Sequence, residues 1–273
     1  MEKLPKKLPK VFAQAPSPID YPARRQALRW LGAGLLAPLL LEGCGGSVEI
    51  GTGSSSATTS CSVVPSESSG SYPADGSNTN STGSTINALS ESGIVRADIR
   101  SSFGTKTTTA AGIPLTVTIT LVDTSCDVLS GYAIYLWHCD RDGQYSLYTS
   151  AIIDENYLRG VQATNSSGQV SFLTIFPGCT SSRMPHLCLE VYASTAKATS
   201  YANKLKTTQL AFPTSTLNEV YSTTYYASSA IHMASQSYST DSAFSDGTSL
   251  QTLTMSGNAK NGYTAAINLA ISV

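Results

Sequence analysis

Residues 115–121 alternate without a break. Leu115, Val117, Ile119 and Leu121 fall on one side, and Thr116, Thr118 and Thr120 on the other. A period of two cannot present a single apolar stripe on a helix, but it gives a strand one apolar and one wettable face. The same reading predicts strands over 132–140, 169–176, 187–193, 249–255 and 263–273. Asp142-Gly143, Asn165–Gly168 and Lys260–Gly262 supply turn chemistry, and Pro177-Gly178 stops the strand before it. No long stretch repeats with a 3.6-residue period, so helices should be few and short. Short strands punctuated by turns imply an all-β fold, a sandwich of two mostly antiparallel sheets. Periodicity does not choose among the sandwich families.

The chain has 273 residues, 41% of them hydrophobic and only 13% charged. The first is enough for a real core, and the second is about half the usual share. Charge is distributed unevenly. Seven of the 17 basic residues and three of the 18 acidic residues precede Cys44, so the remainder carries a formal charge near −5. A surface of that sign does not suit nucleic acid.

Residues 24–46 read RRQALRWLGAGLLAPLLLEGCGG. The apolar run from Trp30 to Leu41 is too short to span a bilayer comfortably, and it follows a basic flank. Arg24-Arg25 with Leu28 resembles a twin-arginine export signal. Leu41-Glu42-Gly43-Cys44 resembles a bacterial lipobox in which Cys44 would carry the lipid, although Glu42 departs from the residue usual there. Residues 1–43 are therefore expected to be a signal peptide. The protein is expected to reach the bacterial cell envelope, held to a membrane through Cys44 or secreted. Residues 44–93, rich in Ser, Gly, Thr and Asn, are expected to form a linker and arm, with Cys61–Pro65 and Gly70–Gly76 lying on the domain. The sandwich should occupy 94–273.

Three segments, in order, resemble the intradiol ring-cleavage dioxygenases, which include the catechol 1,2- and protocatechuate 3,4-dioxygenases and their exported relatives. They are 135–146 (YLWHCDRDGQYS), 157–179 (from Tyr157-Leu158-Arg159-Gly160 to Pro177-Gly178-Cys179) and 183–192 (RMPHLCLEVY). The resemblance implies a two-sheet sandwich with a mononuclear Fe(III) held by two tyrosinates and two histidines, acting with O2 on a catechol. Hard phenolate oxygen suits the ferric ion. Matched position by position, Tyr145 is the first tyrosine and His186 the first histidine. Thr180 stands at the second tyrosine and Cys188 at the second histidine. Arg183 matches the arginine that helps polarise bound substrate. Tyr148 or Tyr157 could supply a replacement phenolate, but neither sits at the position of the missing one.

With two of four protein ligands retained, the metal candidates are Tyr145, His186 and Cys188. The competing reading makes Cys188 a small buried hydrophobe and His186 a satisfied core histidine. His138 reads as core, and His232 carries no signal. Six cysteines in an exported chain permit disulfides. Cys139–Cys179 and Cys61–Cys126 are the expected pairs, leaving Cys188 free. The leading functional expectation is an exported intradiol-type protein with a degenerate iron site and a binding or structural role. A catechol-like compound or an envelope partner would be its ligand. The alternative is an active ring-cleaving dioxygenase with a rewired centre, and a weaker one is an adhesion module that keeps only the scaffold.

Overall fold

The computed structural model describes residues 60–273. The signal, the lipobox and Cys44 lie outside the described residues. Ten strands and two short helices occur among the described residues. One sheet has the order β6 (Gln169–Ile175), β3 (Pro114–Val122), β10 (Gly262–Ala270), β9 (Thr254–Asn258). The other has the order β5 (Arg159–Ala163), β4 (Ala133–Trp137), β7 (His186–Tyr192), β8 (Lys204–Ala211). Within the two sheets every pairing is antiparallel except β10 with β3. The two-sheet, mostly antiparallel sandwich read from the sequence is the observed fold.

The alternation in β3 has the expected consequence. Leu115, Val117, Ile119 and Leu121 are wholly buried and meet Phe172 of β6, Leu269 of β10 and Leu136, Leu187 and Leu189 of the facing sheet in one core. Each such side chain contributes about 1.5–3 kcal/mol on leaving water. α1 (Thr214–Tyr221) and α2 (Ala227–Met233) follow β8. α1 buries Leu217, Val220 and Tyr221 in the same core. The strand expected over 249–255 begins only at Thr254, because Thr248 O accepts from Gln251 N–H and Thr252 N–H in a turn. β5 and β8 lacked a clear alternating signal because β5 is almost covered on both faces and β8 changes from half-exposed to buried midway.

The segment before the sandwich is bound to it. Cys61 and Cys126 form the expected disulfide across 65 residues, a closure of the kind that stabilises by about 2–4 kcal/mol. Val64 N–H donates to Ala270 O, and Glu67 N–H donates to Thr207 O. The run SNTNSTGST, too polar to build a core, nonetheless joins β1 (Asp75–Thr79) and β2 (Thr85–Asn87) in a hairpin. Its turn is held locally: Asn80 Oδ1 accepts from Thr82 N–H, Thr82 Oγ and Ser84 N–H. Hydrogen bonds replace apolar burial there.

The other expected disulfide is not formed. Cys139 and Cys179 are free and buried. The Cys139 thiol points at Gly178 O, while the Cys179 thiol points at Thr180 O and Arg183 O. Each sulfur serves backbone carbonyls of the 178–183 loop instead of the other sulfur.

Candidate metal centre

β7 is buried along its whole length, on both faces. Leu187, Leu189 and Val191 face the sandwich core, which turns His186, Cys188 and Glu190 to the outer side of the sheet. Cys188 pairs in register with Trp137 of β4, so Tyr135, Trp137 and Cys139 share that outer side. This second face is closed by the arm. Trp137 Nε1 donates to Ser71 O at 3.0 Å and Tyr135 OH to Pro73 O at 2.8 Å. Tyr72 packs its ring 5.0 Å from that of Tyr145 and 4.9 Å from that of Tyr148. Gly70 approaches Cys188 so closely that a Cβ there would lie 2.7 Å from the sulfur, and its φ is +70°. Only glycine accepts both conditions.

Arg159 fixes the arm. It is wholly buried, yet its hydrogen-bond partners are neutral: Ser146 Oγ and O, Tyr135 OH, and the carbonyls of Tyr72 and Pro73. Tyr72 and Ala74 sit at φ of 59° and 52°, costly for non-glycine residues. The bonds from Arg159 and Tyr135, and the bond from Ala74 N–H to Tyr148 OH, hold them there. Sequence reading gave Arg159 no role. A charged residue in a strand normally signals an exposed face, and nothing local announces that an arm 86 residues earlier will cover it.

Tyr145 and Cys188 lie under this cover, whereas the His186 ring packs edge-on against Phe244, 6.3 Å between centroids. Tyr145 is buried and its hydroxyl has no hydrogen-bond partner. Burial, with the Cys139 and Cys188 thiols nearby, pushes its ionisation well above the ordinary tyrosine range, while Arg159 and Arg183 act in the opposite sense. His186 Nδ1 lies 2.6 Å from Met184 O. A carbonyl only accepts, so Nδ1 carries the proton and Nε2 holds a lone pair, which is buried and without a partner. Burial and then Arg183 lower the His186 pKa to about 4, so the ring is neutral. Cys188 is a buried free thiol pushed up to about 12 by burial, although Arg183 and a hydrogen bond from the Ser71 backbone favour its anion.

The remaining candidates are committed elsewhere. Thr180 Oγ accepts from Arg183 N–H at 3.1 Å. Arg183 Nη2 reaches Asp241 at 2.8 Å and Gln209 Oε1 at 2.7 Å, and its Nε also donates to Asp241. The guanidinium is thus neutralised by a buried carboxylate, a partner no sequence motif announced. The Tyr157 hydroxyl bonds Asp140, and the Tyr148 hydroxyl bonds Asn78, so neither is a free replacement phenol. His138 Nδ1–H donates to Cys139 O, and its Nε2 accepts from Thr174 Oγ, the satisfied core histidine expected. His232 donates from Nδ1 to Cys179 O and so ties α2 to the 178–183 loop.

These residues do not fit a family-type ferric ion. One phenol stands where two belong, a thiol replaces an imidazole, and the hydroxyl at position 180 has no accessible anion near neutral pH. Among the described residues no three His, Cys, Asp or Glu side chains gather into a group able to hold a metal.

A family model described as dioxygenase matches residues 95–217. An intradiol ring-cleavage dioxygenase from Tetranychus urticae is 25% identical, with a TM-score of 0.60 over 78% of this chain and 95% of its own. The dioxygenase Tetur07g02040 is likewise 25% identical, with a TM-score of 0.58 over the same shares. No curated protein matches. Over the matched segment and in its fold, this chain is similar to the intradiol ring-cleavage dioxygenases, while Thr180 and Cys188 stand where the resemblance would place a second tyrosine and a second histidine.

Proposed function

We propose that this is an exported intradiol-type protein whose ferric centre has been dismantled, and that it now serves a binding or structural role in the bacterial envelope. One observation carries the reading. At the position of the second tyrosinate, Thr180 accepts a hydrogen bond from Arg183 N–H, and the Arg183 guanidinium pairs with Asp241 instead of facing an open site. A ferric ion needs anionic hard oxygen, and the chain has withdrawn one such donor. A catechol-like aromatic or an envelope partner is the proposed ligand. The export signal and the anchor through Cys44 rest on residues 24–46 alone. Lipidation is tested by acyl labelling of the parent and of Cys44→Ser.

The unpartnered Tyr145 hydroxyl and His186 Nε2 favour a second reading, an active ring-cleaving dioxygenase that holds Fe(III) through Tyr145, His186 and Cys188 and takes catechols with O2. Metal analysis of protein made in iron-supplemented medium separates the two, combined with oxygen uptake on catechols. The first reading expects substoichiometric iron and no uptake. Stoichiometric iron with uptake that depends on Arg183 establishes the second.

A further inference from the structure

We propose that a cleft at one end of the β6-β3-β10-β9 sheet binds a small aromatic carboxylate. The cleft shares no lining residue with the arm-covered side of the molecule, and the inference does not depend on the reading of a dismantled centre. Its volume is about 470 Å3, within the range of small-molecule sites. It forms where residues 109–114, the end of β6, residues 223–225 and the turn at 259–260 meet. The floor is preformed. Ile113 N–H donates to Tyr226 OH at 3.1 Å, Phe176 N–H donates to Ile113 O at 2.8 Å, and the Tyr226 hydroxyl donates to Phe176 O at 2.7 Å. Gly112 lies so close to Ile175 and the Tyr226 hydroxyl that a Cβ there would stand 2.8 Å from each. The 109–114 stretch is thereby fixed against the sheet, and a ligand need not order it.

The lining selects the ligand. Ala110, Ile113 and Ile175 give the cleft an apolar base. Tyr225, 60% exposed, lines it too, and Arg141 steadies that ring with its Cζ 5.3 Å from the centroid. A flat apolar ring gains burial on this base and an aromatic partner in Tyr225. Arg100 and Lys260 line the same cleft. Asp98 takes Arg100 Nε at 3.0 Å and Nη2 at 2.7 Å, which aims the guanidinium and leaves Nη1 uncommitted among the described residues. The Lys260 side chain has no ion-pair partner among the described residues, and its backbone N–H is held by Asn258 Oδ1. The chain after Cys44 carries a formal charge near −5, so two cations beside one apolar cleft reverse the local sign and favour an anion. Asp98 offsets one of the two charges, so a single carboxylate balances what remains.

The test titrates the full chain with benzoate and with phenylacetate and follows backbone amide NMR shifts. A Kd on the order of 0.1–1 mM is expected, with shifts confined to residues 109–114, 223–225 and 259–260. Benzyl alcohol keeps the ring and acetate keeps the charge, and each should bind at least ~10-fold more weakly than benzoate. Arg100→Ala and Lys260→Ala should each weaken benzoate by roughly 5–10-fold. Ala111→Trp fills the cleft from an exposed position and should abolish binding. Lys197→Ala removes an exposed cation outside the cleft and should change nothing. The proposal is overturned if neither probe moves these amides at about 10 mM, if benzyl alcohol binds as tightly as benzoate, or if the Arg100 and Lys260 variants titrate like the parent. Shifts centred on Tyr145 and Tyr148 would overturn it as well, since the ligand would then lie beneath the arm. Iron content, measured separately, decides the state of the centre whichever way the cleft is settled.

Discussion

The two sheets of the sandwich present contrasting outer faces. Strands β6, β3, β10 and β9 contain no Lys, Arg, Asp or Glu, and Thr118, Ser171, Thr264 and Ser256 stand at least partly open to solvent. The outer face of the β5-β4-β7-β8 sheet holds Arg159, Glu190, His186, Cys188 and Tyr145, all buried. The first face is an ordinary wet side of an antiparallel sheet. The second is buried because an N-terminal arm lies across most of it and supplies backbone carbonyls in place of water, with Phe244 packed on His186. The chemistry-bearing residues therefore sit where burial depends on a remote segment, so their state is decided by that segment as much as by the strand they stand on.

If the arm is the support, breaking its clamp should have the largest effect. Arg159→Ala removes the donors to Tyr72 O, Pro73 O and Ser146 and should destabilise by about 3–5 kcal/mol, measured by denaturant unfolding. An effect under 1 kcal/mol would mean that the arm holds itself. Acid should weaken the interface between the sheets as well, where His138 bonds Thr174 of β6. Burial holds His138 near a pKa of about 4, below the ordinary histidine value. The unfolded chain therefore takes up the proton first, so the contribution of this group is full above about pH 6.5 and falls as pH drops towards 4. His138→Gln should flatten that part of the stability profile, removing on the order of 2 kcal/mol of pH dependence.

Gly70→Ala probes the arm at its closest approach and should cost about 1–3 kcal/mol, from strain at positive φ and from overlap with the Cys188 sulfur. It should also make Cys188 reactive to thiol reagents. Adding Cys188→Ala should recover part of the loss, and strict additivity would show that the two residues do not touch. On the open face Thr264→Lys should change stability by no more than about 0.5 kcal/mol.

The architecture was legible where one face of a strand is wet. β3, β6 and β10 alternate in sequence because they alternate in environment, and they were readable for that reason. β5 and β8 were obscured because tertiary burial erased or interrupted their period. The candidate ligand positions came from the three family-like segments; in the structure Tyr145 and Cys188 lie beneath the arm, and His186 packs against Phe244. Asp241, which neutralises Arg183, was invisible because ion pairs across 58 residues leave no local pattern. The Cys139–Cys179 pairing failed for a related reason, since the loop carbonyls that receive the two thiols are defined only by the fold.

Visible absorption and iron content of the parent, set beside those of the double variant Thr180→Tyr with Cys188→His, test the central claim most directly. The account predicts a colourless, iron-poor parent and a variant that gains iron together with a phenolate-to-iron band. A parent that already binds one iron per chain and shows that band would contradict it.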